Sequence, residues 1–279
     1  MGFIGWITSK ETLSEVAKKH GVSVQTLCAW FGIFWRRPPR PVVPRGVRLL
    51  VLDATSVTAR ALTLLIAGDA GSSRPVSWMP AERECHASWA AFLLGLAAAG
   101  VSPEIVVCDG QRGLLKALRE VWPLAKVQRC LIHVVRQASA WLTRNPKTAA
   151  GAELLAIVGT LPRVADGGGR SRFVSAFGSW CARHEAFLNE RTFGPNGRWW
   201  RTHRKLRGTR ALIRNAVPDL FRFIDDPTAP RTSNHVEGGM NARLKELFRC
   251  HRGLQPTKKL ALASWYLSLR QGRKTNTKL

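Results

Sequence analysis

Three strand-like segments follow one another in this chain with no helix between them. VRLLVLDAT (47–55), ALTLLIAGD (61–69) and RPVSWMPA (74–81) are apolar runs bounded by Pro, Gly and Asp, the pattern of buried strands. After them the pattern alternates. ECHASWAAFLLGLAAAG reads as a helix ending at Gly100, and EIVVCDG as a short strand. GLLKALREVWP is a helix stopped by Pro123, and AKVQRC is a further short strand. Gly accepts the positive φ of a helix end, and Pro cannot extend a helix.

This order predicts an α/β fold, an RNase H-like (retroviral integrase-like) core with a mixed sheet, whose first part spans 47–133. From 134 to 230 the pattern changes to helices only, broken by PRVADGGGR and FGPNG. That block predicts an all-helical insertion, and 231–279 returns to the core with basic helices. Ahead of the core, TLSEVAKKHGVSVQTLCAWF, within a small unit 1–35, fits a helix-turn-helix. Val16 and Ala17 face inward, Gly21 takes the turn and Ser23 caps the second helix. Val24, Leu27 and Trp30 supply its buried stripe. An ordinary helical hairpin shares this pattern; the match of Ala, Gly and four apolar positions favours the DNA-binding version, with Ser23 and Gln25 toward DNA. RRPPRPVVPRG (36–46) is a Pro- and Arg-rich linker.

Charge narrows the partners. The chain carries 43 Lys and Arg against 18 Asp and Glu, a net +25. Such self-repulsion destabilises a folded domain unless a polyanion offsets it, and nucleic acid is the first candidate. A membrane surface fits less well, because the basic residues do not cluster beside an apolar anchor. The longest apolar stretch, 89–101, falls short of the roughly 20 residues that span a bilayer. MGFIGWITSK does not read as a secretory signal, and the six cysteines are scattered without a CxxC pair. The expectation is a cytoplasmic, nucleoid-associated protein with reduced thiols and no membrane contact.

Three acids stand where a nuclease places metal ligands. Asp53 and Asp109 each end an apolar strand, and Glu237 opens the helical segment SNHVEGGMNARLKELF. Each has a duller reading: Asp53 caps a turn, Asp109 belongs to an Asp-Gly turn, and Glu237 completes a capping box with Asn234. Their joint occurrence favours a site for two Mg²⁺ ions, with Mn²⁺ as a substitute. Glu237, Asn241, Leu244 and Phe248 recur on one helix face that runs from this site into the core. Cys130 and His133 have half the spacing of a zinc site but no second half. They either pack beneath the active site or bring His133 to substrate phosphate. Arg198, Trp199, Trp200, Arg201, Arg204, Lys205 and Arg207 form a basic aromatic segment without acids. With Arg243, Lys245 and Arg249 near Glu237, they are candidates for DNA contact, Trp199 and Trp200 by stacking on an unpaired base.

VVCDGQRGLLKALREVWPLAKVQRCLIH, followed by PRTSNHVEGGMNARLKELFRCHRGL, resembles the Mutator-like class of bacterial insertion-sequence transposases. The similarity runs from about Arg48 to Gly253. It implies a DDE transposase in which Asp53, Asp109 and Glu237 match the catalytic acids, and Cys130 and His133 match the family's C-x-x-H feature. Asn234 matches the motif position that orders the helix start. Members of the class use Mg²⁺ or Mn²⁺, recognise terminal inverted repeats in double-stranded DNA, and join them to target DNA without a covalent enzyme–DNA intermediate. Pairing two ends implies a homodimer or larger assembly. Two other readings stand beside it: a decayed or domesticated transposase that only binds DNA, and an RNase H-like nuclease that cuts without joining.

Overall fold

β1 (Leu49–Thr58) begins with Leu50, Val51 and Leu52 all buried, so both of its faces are covered there. Such a strand belongs in the middle of a sheet. The computed structural model describes residues 2–58, 62–233 and 240–272. Within it β2 (Leu62–Asp69) and β3 (Arg74–Ala81) pair antiparallel in succession with β1, with Asp53 opposite Ile66. With β4 (Ile105–Cys108) and β5 (Lys126–Arg129) they make one mixed five-stranded sheet in the order β3-β2-β1-β4-β5. All five strands fall on the segments that the sequence predicted as strands.

The chain divides into two compact units. The first holds residues up to Val106, Gln111–Ala125 and those from Ser233 onward; the second holds Val107–Gly110 and Lys126–Thr232.

In the first unit, α1 (Gly2–Thr8), α2 (Leu13–Lys19) and α3 (Val24–Arg36) precede the sheet. A Thr12–Glu15 capping box starts α2, Gly21 turns the chain at φ +63, and Ser23 caps α3. The buried stripe of α3 is Leu27 and Phe31, whereas Val24 and Trp30 are 39% and 53% exposed. This corrects the expected stripe. The cause is α1, which the sequence pattern did not place: Phe3 and Trp6 lie against Phe31 at 5.2 and 5.3 Å and rotate the covered face by one position. α4 (His86–Ala98) and α5 (Arg112–Val121) cover the core with Trp89, Leu93, Leu114 and Leu118. α12 (Ala242–Cys250) and α13 (Pro256–Arg270) close this unit. There Trp265 donates to Phe34 O at 3.0 Å and Trp78 to Ser264 Oγ at 3.1 Å, which docks the N-terminal helices and β3 on the same helix.

The second unit contains β5, α6 (Leu131–Leu142), α7 (Ala149–Gly159), α8 (Gly167–Arg183), α9 (Glu185–Asn189), α10 (Arg204–Ala216) and α11 (Arg222–Asp225). Its centre is Trp180, fully buried, whose indole donates to Ala150 O at 3.0 Å. Gln128, also fully buried, donates to Leu220 O at 2.9 Å and accepts from Phe223 N at 3.2 Å, tying β5 to the first turn of α11 and the segment just before it. The block expected to be all-helical also carries a hairpin, β6 (Arg191–Phe193) and β7 (Trp199–Arg201). Thr, Phe and Trp favour strand pairing, and Gly194–Gly197 supplies the turn, closed by Gly194 N to Arg198 O at 2.7 Å. No described helix is long and apolar enough to cross a membrane.

Candidate active site

Asp53 lies within β1, not past its end. The apolar run stops there, but the strand continues for five residues: β-branched Thr55 and Thr58 pair with Leu64 and Leu62 of β2, with a register shift at Val57 between them. The Asp53 carboxylate is half-buried and held at both oxygens. Ala54 N donates to Oδ1 at 2.8 Å, and the Asn241 carboxamide Nδ2 donates to Oδ2. Asn241 immediately precedes α12 and is 2% exposed, while Leu244 and Phe248 on the same face are buried as expected.

Asp109 follows Cys108, the last residue of β4, as the sequence predicted. Gly110 then turns the chain at φ +81. The space a side chain would fill at Gly110 is taken by Arg129: a Cβ there would lie 1.8 Å from Arg129 Nε. Arg129 is 4% exposed and its Nε donates to Asp109 O at 3.0 Å. Burial and then the neighbouring Asp109 charge push the Cys108 thiol up to about 12, against the opposite pull of Arg129. Cys108 is thus a packing thiol and no nucleophile at neutral pH.

Glu237 and Asn234 lie outside the described residues. Among the described residues no group of three His, Cys, Asp or Glu side chains is placed to hold a metal. Cys130 is the fully buried N-cap residue of α6, its N–H on Cys108 O at 2.8 Å. His133 is half-buried in the first turn of that helix, and this i, i+3 spacing puts it on the side of Cys130.

The candidate DNA contacts divide into two groups. Gln25, Arg198, Trp199, Trp200, Arg204, Lys205, Lys245 and Arg249 are exposed. The others have structural partners. Ser23 Oγ accepts from Thr26 N at 3.0 Å. Arg201 donates to Asn189 O at 2.6 Å, and Arg207 to Leu188 O at 2.9 Å. Arg243 reaches Thr8 O at 2.8 Å and pairs with Glu246. The segment also has acidic neighbours from elsewhere in the chain: Glu185 in α9 pairs with Arg210, and Glu190 with His203. Trp199 and Trp200 are 48% and 46% exposed. Phe193 and Trp199 are cross-strand partners, and the guanidinium of Arg191 lies over the Trp199 ring at 4.3 Å. Sequence reasoning missed Arg129 altogether, because its contact with Asp109 depends on β5 lying beside β4. It placed Asn241 on the right face but gave it no role, although a polar residue on an apolar stripe was the available signal.

A family profile described as "Transposase, Mutator family" matches residues 7–159, more than half of the chain and inclusive of Asp53, Asp109, Cys130 and His133. A probable transposase for an insertion sequence element of Corynebacterium diphtheriae is 29% identical over 111 residues, covering 38% of this chain and 32% of the relative. The transposase for insertion sequence element IS905 of Lactococcus lactis is 36% identical over 75 residues, 26% of this chain and 19% of the relative. That for ISRM5 of Rhizobium meliloti is 35% identical over 97 residues, 34% and 24%. The matches therefore span about a third or less of these relatives' length. A chain from the structure of the simian T-cell lymphotropic virus intasome in complex with PP2A regulatory subunit B56 gamma aligns over 59% of this chain and 69% of its own. Its identity of 13% and TM-score of 0.25 are too low to support a fold argument.

Proposed function

Because the chain belongs to the Mutator family of transposases, we propose that it cuts DNA at the ends of an insertion sequence and transfers the freed strand to target DNA. Asp53 is the observation on which this reading stands. A half-buried carboxylate directly after the buried run Leu50–Leu52 of the central strand, gripped at both oxygens, has no packing purpose of its own. The strand order β3-β2-β1-β4-β5, with three antiparallel strands first, agrees with an RNase H-like core.

Asp53, Asp109 and Glu237 would hold two Mg²⁺ ions, for which Mn²⁺ substitutes. Carboxylate oxygens suit these hard cations, and the buried Asn241 oxygen beside Asp53 adds an acceptor of the same type. When bound, such ions activate the attacking oxygen and stabilise the leaving one in an in-line displacement. The chain's own residues position the partners. α2 and α3 act as a helix-turn-helix, with exposed Gln25 reading base edges at the element's terminal repeats. Arg198, Arg204, Lys205, Lys245 and Arg249 meet the phosphate backbone, and Trp199 and Trp200 stack on bases. Arg201, Arg207 and Arg243 brace the fold. Cys130 and His133 support the segment next to β5, and two copies of the chain bring two DNA ends together.

Asp109→Asn tests the chemistry on a labelled duplex carrying the element's terminal repeats. Metal-dependent nicking should vanish while salt-dependent binding stays intact; nicking that survives refutes the role of Asp109. If the unmodified chain binds but never nicks, the protein is a DNA-binding relative without catalysis. Nicking without joining of a pre-cut end marks a hydrolytic nuclease.

A further inference from the structure

Asn241 presents a polar mismatch beside Asp53. The residue is 2% exposed, and while its Nδ2 serves Asp53, its Oδ1 is buried with no hydrogen-bond partner among the described residues. Buried amide oxygens are rarely left without a donor, because their lost hydration is not replaced. Orienting Asp53 does not require one, since a hydroxyl supplies the same donor without a second stranded atom. Turning the carboxamide over does not resolve the mismatch. It sets Oδ1 against the Asp53 carboxylate, an arrangement of two acceptors that becomes favourable with a cation between them. Thr55, on the same side of β1 two residues on, also has a buried hydroxyl, 1% exposed, without a partner among the described residues.

We propose that Asn241 belongs to the cation site: its carboxamide oxygen is a donor to the divalent ion that Asp53 holds. This role rests on the metal-dependent reading above and adds to it a neutral ligand outside the acidic trio. Mg²⁺ and Mn²⁺ take oxygen donors, and a side-chain carbonyl meets that need without adding negative charge.

The test is direct Mn²⁺ binding to the full chain. Free Mn²⁺ is read by its electron paramagnetic resonance signal, alongside the Mn²⁺-induced rise in Tm. Asn241→Leu keeps the bulk and removes both polar faces; it should weaken Mn²⁺ binding by about 10- to 100-fold. Asn241→Asp keeps an oxygen and removes the donor. It should lower Tm without metal, because two carboxylates then repel, yet bind Mn²⁺ at least as tightly as the parent. Loss of affinity in Asn241→Asp to the level of Asn241→Leu would mean that no oxygen at position 241 reaches the ion. That result overturns the inference, as does parental affinity in Asn241→Leu; Asn241→Asp carries the test if the Leu variant folds poorly. Asp53→Asn is the control. Unchanged Mn²⁺ binding there overturns the metal-site reading as a whole, a failure distinct from loss in Asp53→Asn with full retention in Asn241→Leu.

Discussion

Replacing Gly110 by Ala would break the turn that carries Asp109, and the structure sets the size of the effect. Gly110 sits at φ +81, a left-handed conformation that costs an L side chain about 1–2 kcal/mol. The added Cβ would meet Arg129 Nε at 1.8 Å and Cζ at 1.9 Å, so the guanidinium must move. Moving it breaks the bond from Nε to Asp109 O in a place where Arg129 is 4% exposed. Hydrogen bonds to charged groups contribute about 1.5–3 kcal/mol. The two effects together predict a loss of about 3–5 kcal/mol, against about 5–15 kcal/mol for the whole stability of an ordinary domain. Urea unfolding measures it as a lower midpoint at constant slope.

A second background isolates the cause. In Arg129→Ala the obstructing side chain is gone, so Gly110→Ala should cost only the strain of the left-handed backbone, about 1–2 kcal/mol. The difference between backgrounds is the coupling between turn and guanidinium. If Gly110→Ala costs the same in both, Arg129 does not hold the turn and the reasoning fails.

Two further outcomes follow from charge and burial. Burial holds the His251 imidazole below its ordinary 6.5, against the upward pull of hydrogen bonds with the backbone of Ile7 and Trp6. A depressed basic group contributes stability above its unfolded pKa. That contribution is lost as pH falls below 6.5, because the unfolded chain then takes up the proton first. The urea midpoint should drop between pH 7.5 and 5.5, and drop less in His251→Phe; equal drops would exclude His251. Arg204→Ala should reduce the slope of log affinity against log salt by about 1 on duplex DNA. Arg207→Ala should instead lower Tm, since its guanidinium holds Leu188 O and Asn189 Oδ1, both at 2.9 Å. An unchanged slope in Arg204→Ala would remove that residue from the phosphate contacts.

The parts of the fold legible in the sequence are those where local pattern and tertiary demand agree. β1 to β4 were visible because buried strands carry apolar runs, and Gly100 and Pro123 marked helix ends by backbone geometry alone; β5, with Lys, Gln and Arg in it, was read from its place after the Pro123 stop. The hairpin β6–β7 was not, because Arg-rich strands three residues long have no alternating apolar face to read. FGPNG showed a break without showing that the chain folds back on itself there. The phase of α3 failed for a related reason. Its pattern fits two faces, and the choice between them belongs to Phe3 and Trp6 on α1.

The candidate site shows the same division. Asp109 could be located because strand, acid and glycine are adjacent in sequence, whereas its brace, Arg129, comes from the next strand. Asp53 could be singled out as an acid in an apolar run, but its grip comes from Asn241, 188 positions away. The two acids are therefore held differently. Asp53 is fixed through its carboxylate, and Asp109 through its main-chain carbonyl. Preorganising a ligand through its side chain ties substitution effects to cation affinity, while fixing it through the backbone ties them to local stability. Asn241→Leu should thus appear first in Mn²⁺ titrations, and changes at Gly110 or Arg129 first in unfolding curves.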